Sequence, residues 1–150
     1  LKSAYARAPY LADHMPFIED TYRARFEKLI DLNMTFIHYL FRQLRIDTEI
    51  KLLSELGIQT TGNQLLVDIC HQMRASVYLA QPAAAKYLDS GLFQKKGLEI
   101  QFIKPPAPVY PQLWGPFIAN LSVLDMLFNC GPKAKEILLP KSCMKINEKS

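Results

Sequence analysis

The sequence predicts an α/β fold that is rich in helices, with a small and mostly parallel sheet against which the helices pack. Three observations predict it. Apolar residues recur at helical spacing in several segments, short segments have the alternation or the composition of strands, and these strands alternate with helices. A strand, helix, strand order favours parallel strands that are joined by right-handed crossovers.

The first third of the chain predicts two helices after an irregular opening segment, residues 1–15. Pro16 suits the first position of a helix over residues 16–30, in which acidic residues come early and basic residues late, as the helix dipole favours. Asp31 is expected to cap a second helix, residues 32–45, whose apolar residues share one face. That face predicts a contact with the core.

The middle of the chain predicts a strand, a helix and a second strand. Residues 46–54 alternate between apolar and polar side chains, which is typical of a strand. Thr61 and Gln64 have the spacing of a capping box for a helix over residues 62–76. The run VYLA at residues 77–80 has the composition of a short, buried strand.

The remaining segments predict a short helix, a third strand and a final helix. Residues 82–93 begin with proline and are rich in alanine, whereas residues 98–103 read as a strand. Residues 105–116 should be extended, because residues that precede proline avoid the helical region. Residues 120–130 predict the last helix, and Gly131 is placed to end it.

The length and the charge of the chain predict one domain over residues 1–140 and a basic, frayed tail over residues 141–150. A chain of 150 residues can bury roughly 70% of its unfolded surface without a disulfide or a metal. Residues 133–150 carry five Lys and two Glu, which accounts for +3 of the net charge of +4. The rest of the chain is near neutral, which argues against a nucleic-acid partner.

Cysteine usage and the apolar runs predict a cytoplasmic protein without a membrane span. Three cysteines, an odd number with no CxxC pair, suit a reducing compartment. The longest uncharged run, residues 105–124, contains five prolines, which would leave backbone groups unpaired in lipid. No histidine has a second ligand at the spacing of a helical metal site, and no Walker or GxGxxG motif is present. We therefore expect no cofactor and no metal.

A loop between a predicted strand and a predicted helix, residues 57–62, is the first candidate for ligand contact. In α/β proteins such loops bind phosphates on helix N-terminal amides, and Thr60 would then be one of the side chains that reach the ligand. The alternative is a turn with a cap, which Thr61 and Gln64 would explain without a ligand.

The segment PPAPVYPQLWGPF has the most unusual composition in the chain. Tyr110, Trp114 and Phe117 could cover the edge of the sheet, or they could form a pocket wall for a sugar ring or another flat ligand. Gln112 is the one amide in that wall and can both donate and accept hydrogen bonds. Both interpretations remain open at this point.

Polar residues at the start of the last helix have two interpretations as well. Asn120 and Ser122 are both competent N-caps, and Asp125 follows Ser122 at the spacing of a capping box. On these grounds alone a structural role is favoured. A chemical cluster of the same residues is the alternative.

One family shares these residues. The run VYPQLWGPFIANLSVLDMLFNCG resembles the carboxyl-terminal signature of WbqC-like proteins, which the following positions carry: Tyr110, Gln112, Phe117, Asn120, Leu121, Ser122, Asp125, Asn129 and Gly131. Upstream, Tyr10, Asn33, the run LGIQTT and Tyr87 in KYL fit the family's order. The resemblance extends to Leu139.

The resemblance implies a function and an incomplete chain. WbqC-like proteins begin with a strand that carries a Gln-Pro and aromatic-rich motif, which is not found here, so this chain is expected to be the carboxyl-terminal part without the amino-terminal strands. The family implies surface-polysaccharide (O-antigen) biosynthesis, with transfer of a glycine, aminoacyl or small acyl group to a nucleotide-linked or lipid-linked sugar. The alternative is a module of the same pathway that binds a glycan intermediate or a partner enzyme without catalysis.

The hypothesis assigns roles to named residues and partners. The partners are a sugar-containing small molecule and other polysaccharide-biosynthesis enzymes. Asp125 is the candidate general base or acceptor for a sugar hydroxyl. The catalytic candidates are Asp125 and Ser122, and the substrate-binding candidates are Asn120, Gln112, Tyr110, Trp114, Thr60 and Tyr87.

Overall fold

The computed structural model describes residues 1–105 and 107–138, which form two compact units. The first contains residues 1–47 and 107–138, and the second contains residues 48–105. The helices are α1 (Lys2–Tyr5), α2 (Leu11–Arg23), α3 (Leu29–Leu44), α4 (Leu53–Leu56), α5 (Gly62–Gln72), α6 (Ser90–Lys95), α7 (Val123–Cys130) and α8 (Ala134–Leu138). The strands are β1 (Val77–Ala80) and β2 (Glu99–Phe102), and 3-10 helices span Pro82–Tyr87 and Gly131–Lys133.

The second unit contains the parallel sheet. Strands β1 and β2 pair in register from Val77 opposite Glu99 to Ala80 opposite Phe102. Helix α6 lies between them in the chain, as the crossover of a parallel pair requires. The buried core of the second unit consists of Val67, Cys70, Phe93 and Leu98. The predicted helix-rich α/β fold with parallel strands is confirmed.

Helix α7 is the centre of the first unit. Met126, Leu127 and Cys130 pack in a core cluster with the carboxyl end of α3, the extended segment before α7, and α8. Phe128, which is fully buried, belongs to a second cluster with Ala8 and Ile18. Side chains from several faces of α7 are buried, which agrees with its mostly apolar sequence, and Asp125 is the polar residue among the buried ones.

The two helices predicted for the first third of the chain correspond to α2 and α3, and both begin earlier than predicted. Helix α2 starts at Leu11 and contains Pro16, which the pattern places at the first position of a helix. The backbone N–H of Tyr10 donates to the carbonyl of Phe128, so a distant contact fixes the start of α2. The predicted boundary is wrong because that contact outweighs the local preference of proline. Asp31 is likewise inside α3 and does not cap it.

The predicted strand over residues 46–54 is wrong. Residues 46–52 form neither helix nor strand, and α4 follows. Ile46 instead packs against the core of the first unit. Alternation of side chains is a local pattern, but a strand also needs a paired neighbour for its backbone groups.

Two local predictions in the second unit differ from the structure. The side chain of Thr61 makes no capping hydrogen bond, and Gln64 donates instead to Asp68 one turn later, at 2.6 Å. The predicted helix over residues 82–93 is a 3-10 helix followed by α6, which Asp89 caps by accepting from the N–H of Leu92 at 3.0 Å.

Other elements fall where the sequence predicts them. Strands β1 and β2 and helix α7 lie within the predicted segments, and Ser122 caps α7. Among the described residues, none of the helices combines the length and the apolar character that crossing a membrane requires. The basic tail predicted for residues 141–150 lies outside the described residues.

Candidate functional site

A buried carboxylate with four donors forms the candidate site. Asp125 lies in the first turn of α7 and is 5% exposed. The phenol of Tyr5 donates to Oδ1 at 2.8 Å, and the phenol of Tyr110 donates to Oδ2 at 2.7 Å. The amide of Asn129 approaches Oδ1 at 3.3 Å, and that of Gln112 approaches Oδ2 at 3.4 Å. A buried charge needs such partners, because an unpaired one would be costly.

Separate parts of the first unit supply these donors. Tyr5 belongs to α1, and its ring packs edge-on against Phe128 with centroids 5.0 Å apart. Tyr110 comes from the extended segment before α7 and is buried. Asn129 lies one turn after Asp125 on the same helix, and its amide also donates to the Asp125 carbonyl at 2.8 Å. The Asp125 carboxylate therefore joins three segments of the unit.

The carboxylate changes the acidity of both phenols. Burial, together with the hydrogen bond to Asp125, raises the pKa of Tyr5 from 10.0 to about 12. Burial and the same carboxylate also raise the pKa of Tyr110. Both phenols therefore keep their protons at neutral pH and act as hydrogen-bond donors to Asp125.

A small cavity of about 150 Å³ opens beside Asp125. Its lining combines three polar residues, Tyr5, Gln112 and Asp125, with apolar ones. The apolar lining residues include three that are well exposed, namely Trp114 (58%), Ile118 (57%) and Leu121 (44%). The cavity thus combines a charged acceptor with an exposed aromatic surface.

Gln112 shapes the wall of this cavity. Its Nε2 donates to the carbonyl of Ile118 at 2.9 Å, and its Oε1 accepts from the N–H of the same residue at 2.9 Å. These two hydrogen bonds close the turn that contains Trp114. The contact of Gln112 with Asp125 is the longest of the four, so the amide binds the backbone of the turn more strongly than it binds the carboxylate.

Trp114 is held against α1 by its polar edge. The indole N–H donates to the carbonyl of Ala4 at 2.9 Å, and the guanidinium of Arg7 lies 5.8 Å from the ring centroid. These contacts fix the orientation of a ring that remains largely exposed to solvent. Such a fixed, exposed ring is suited to stacking with a flat or ring-shaped ligand.

Two predicted site residues at the start of α7 have backbone roles in the structure. Ser122 is the N-cap, and its Oγ accepts from the N–H of Leu124 at 3.2 Å. Asn120 has a positive φ of 61°, a conformation that asparagine tolerates better than most residues, and it is exposed. Both residues set the direction in which α7 begins.

Thr60 and Tyr87, the two remaining predicted site residues, belong to the second unit. Thr60 donates through its hydroxyl to Asp68 at 2.6 Å. Tyr87 has a ring that is 71% exposed, and its carbonyl accepts from the amide of Asn63 at 3.0 Å. They are therefore not part of the cluster around Asp125, which is built from residues of the first unit.

Sequence reasoning missed Tyr5 and gave Asn129 no role. Asn129 could have been found, because it follows Asp125 by four residues and such pairs face each other on a helix. Tyr5 has no local signal, since its partner lies 120 residues away in the sequence. Within residues 1–105 and 107–138, no three His, Cys, Asp or Glu side chains converge as a metal site would require.

Comparison with known proteins adds a family and a distant relative. The WbqC-like protein family matches the chain over residues 1–137. An uncharacterised protein of Mycobacterium tuberculosis is 26% identical over 140 residues, which cover 92% of this chain and 61% of the relative. The chain thus spans less than two thirds of that relative's length. No solved structure matches.

Proposed function

The chain belongs to the WbqC-like protein family, and from this premise we propose that the cavity beside Asp125 binds the sugar of a nucleotide-linked or lipid-linked intermediate in surface-polysaccharide biosynthesis. The proposal extends to a cytoplasmic reaction in which a small acyl or aminoacyl group is transferred to that sugar. The supporting observation is a buried carboxylate that borders a cavity with a fixed, exposed indole ring.

This combination suits a sugar for chemical reasons. The apolar face of a sugar ring can stack on Trp114, while its hydroxyl groups need polar acceptors and donors. Asp125 accepts, and the amide of Gln112 can donate. A cavity of about 150 Å³ would accommodate one part of the substrate and not a whole nucleotide sugar.

Binding would replace the weakest of the four contacts to Asp125. A carboxylate offers about four acceptor positions, and four donors now approach this one. The amide of Gln112, at 3.4 Å, is the donor that a sugar hydroxyl can displace at least cost. Tyr5 and Tyr110 would keep the carboxylate in place during this exchange.

In the transfer step, Asp125 would act as the general base. The sugar hydroxyl gives its proton to the carboxylate while the hydroxyl oxygen attacks the carbonyl carbon of an activated ester or thioester. The bond to the leaving oxygen or sulfur then breaks, and the leaving group takes the proton back from Asp125 and departs as the alcohol or thiol. Ser122 caps α7 through its Oγ, so we assign it the role of positioning Asp125. Asn120 would act in the same way, through the turn that precedes the helix.

The test measures binding and turnover separately. We expect UDP-N-acetylglucosamine, used as a nucleotide-sugar probe, to bind in isothermal titration calorimetry and to bind weakly to the Trp114→Ala variant. Transfer from an acyl thioester to the sugar, followed by mass spectrometry, should stop in Asp125→Asn. Turnover that persists in a folded Asp125→Asn variant would exclude the carboxylate as base.

A binding module without catalysis is the second candidate, and one observation favours it. All four donors around Asp125 come from the protein itself, which leaves the carboxylate little spare acceptor capacity for a substrate proton. This candidate predicts that Trp114→Ala weakens saccharide binding, while no acyl transfer is detected with the unaltered chain.

A further inference from the structure

The first unit contains another cavity, of about 200 Å³, in which charged and polar side chains converge. It lies between α2, the carboxyl end of α3 and the turn that follows α7. The lining includes Asp13, His14, Arg42, Gln43, Arg45 and Gly131. None of these residues contributes to the Asp125 site.

Positive charge dominates this cavity. Its lining includes two arginines, Arg42 and Arg45, against one acidic residue, Asp13. Lys135 adds a third positive charge nearby, because its Nζ donates to the carbonyl of Arg45 at 3.0 Å. Guanidinium groups are planar forks of donors that match the geometry of oxyanions, and they remain charged at any physiological pH.

One residue that lines the cavity, His14, belongs to a buried and uncharged pair. His14 and Tyr39 are 4% and 6% exposed, and the Tyr39 hydroxyl lies 2.6 Å from Nδ1 of His14. Burial lowers the pKa of His14, so the imidazole is neutral at pH 7, and burial raises the pKa of Tyr39. The positive charge of Arg42 lowers the pKa of Tyr39 and the negative charge of Asp13 raises it, so both charges act at this phenol.

We propose that this cavity binds the phosphoryl group of a phosphorylated small molecule, with Arg42 and Arg45 as its ligands. A phosphoryl dianion balances two guanidinium groups, whereas a carboxylate balances only one. Gln43 can donate to a further oxygen, and Asp13 can accept from a protonated oxygen or from a hydroxyl next to the phosphoryl group.

The size of the cavity agrees with a small group. Pockets for drug-sized ligands are roughly 300–1,000 Å³, and this one has about 200 Å³. It can therefore enclose a phosphoryl group and part of its carrier. The site does not depend on the function proposed for the Asp125 cavity, because it is built from other residues.

The test titrates the protein with inorganic phosphate and with glycerol 3-phosphate, using calorimetry or NMR at low ionic strength. Low salt is needed because Arg42 and Arg45 are exposed and their fields are screened. We expect both probes to bind and acetate to bind far more weakly. The double variant Arg42→Gln/Arg45→Gln should weaken phosphate binding by roughly tenfold or more. Arg25→Gln, which removes an exposed charge outside the cavity, should leave phosphate binding unchanged.

A single variant tests the proposal in case the double variant does not fold. Gln43→Glu places a negative charge in the same cavity and retains both arginines, so it should also weaken phosphate binding by roughly tenfold. The proposal is overturned if neither probe binds, if acetate competes equally with phosphate, or if Gln43→Glu and the folded double variant bind phosphate like the unaltered protein.

Discussion

The phenol of Tyr5 donates a hydrogen bond to the carboxylate of Asp125 at 2.8 Å, although 120 residues separate them in the sequence. This bond ties α1 to α7, and the Tyr5 ring adds an edge-on contact with Phe128. Because α1 has only four residues and no side-chain cap, its position depends on such tertiary contacts more than on its own helical preference.

Replacing Tyr5 by phenylalanine tests the energetic weight of this bond. Tyr5→Phe keeps the ring and removes the hydroxyl, so Oδ1 of Asp125 loses its shortest donor. We expect the free energy of unfolding to fall by about 1.5–3 kcal/mol, as is typical for a lost hydrogen bond to a charged group. Urea unfolding of both proteins measures the difference.

The control for this measurement is Tyr22→Phe. Tyr22 is 71% exposed, and its ring contact with Phe36 does not need the hydroxyl. We expect that variant to change the free energy of unfolding by less than about 0.5 kcal/mol. Equal effects of the two substitutions would mean that the Tyr5 hydroxyl is not bound to Asp125 in solution.

The two phenols also predict a loss of stability in alkali. The pKa of Tyr5 rises from 10.0 to about 12 on folding, so between these values the unfolded chain releases a proton that the folded chain retains. Stability therefore falls as pH rises from 10 towards 12, because the unfolded state binds fewer protons. Tyr110, whose pKa is also raised, adds to the effect.

Ultraviolet absorbance of the phenolate measures this directly. Phenolate absorbance of the folded protein should show a late, alkaline component, and the Tyr5→Phe variant should lose part of it. If every tyrosine of the folded protein titrated near 10, the carboxylate would not be holding the two phenols protonated.

The sequence predicted the parts of the site that are close together in the chain. Tyr110, Gln112 and Asp125 come from one stretch of 16 residues, in which capping signals and aromatic residues stand out. Tyr5 could not be predicted, because a contact over 120 residues leaves no local pattern. The position of Thr60 before a helix predicts contact with a ligand, but its hydroxyl donates to Asp68.

The fold shows the same division between local and distant causes. Strands β1 and β2 were predicted from composition, and the pairing confirms them. Residues 46–54 also alternate, yet they form no strand, because alternation does not supply a neighbouring strand. Helix α2 starts at Leu11, earlier than predicted, because the N–H of Tyr10 donates to the carbonyl of Phe128.

Gly131 is expected to tolerate no side chain. Its φ is 52°, and a Cβ atom there would lie 2.5 Å from Cδ1 of Tyr10. We expect Gly131→Ala to destabilise the protein by about 2–4 kcal/mol, through backbone strain and overpacking together. Gly57→Ala is the matched control, since Gly57 also has a positive φ but open space around it. A smaller loss in Gly131→Ala than in Gly57→Ala would contradict the close approach of Tyr10.

Asp125→Asn should be destabilising even without a ligand. The amide brings two N–H donors to a place where two phenols and two amides already donate. We expect a loss of about 2–3 kcal/mol in the free energy of unfolding, which urea denaturation measures. Asp20→Asn on α2, where the side chain is 78% exposed, should have little effect. An equally small effect at Asp125 would show that its oxygens are solvated.

His14 predicts the opposite pH dependence, on the acid side. Burial lowers its pKa below 6.5, while the charge of Asp13 and a hydrogen bond with the Leu127 backbone oppose the shift. The Tyr39 hydroxyl lies against its Nδ1. As pH falls through 6.5 and then through the lower folded value, the unfolded chain binds a proton first, so stability is present above 6.5 and is lost in acid. NMR titration of the His14 ring in the folded protein should give a pKa below 6.5. The urea midpoint should decrease as the pH is lowered from roughly 7 to 5. The midpoint of the His38→Gln variant, which is the control, should decrease in the same way. A His14 pKa of 6.5 or higher would contradict its burial against Tyr39.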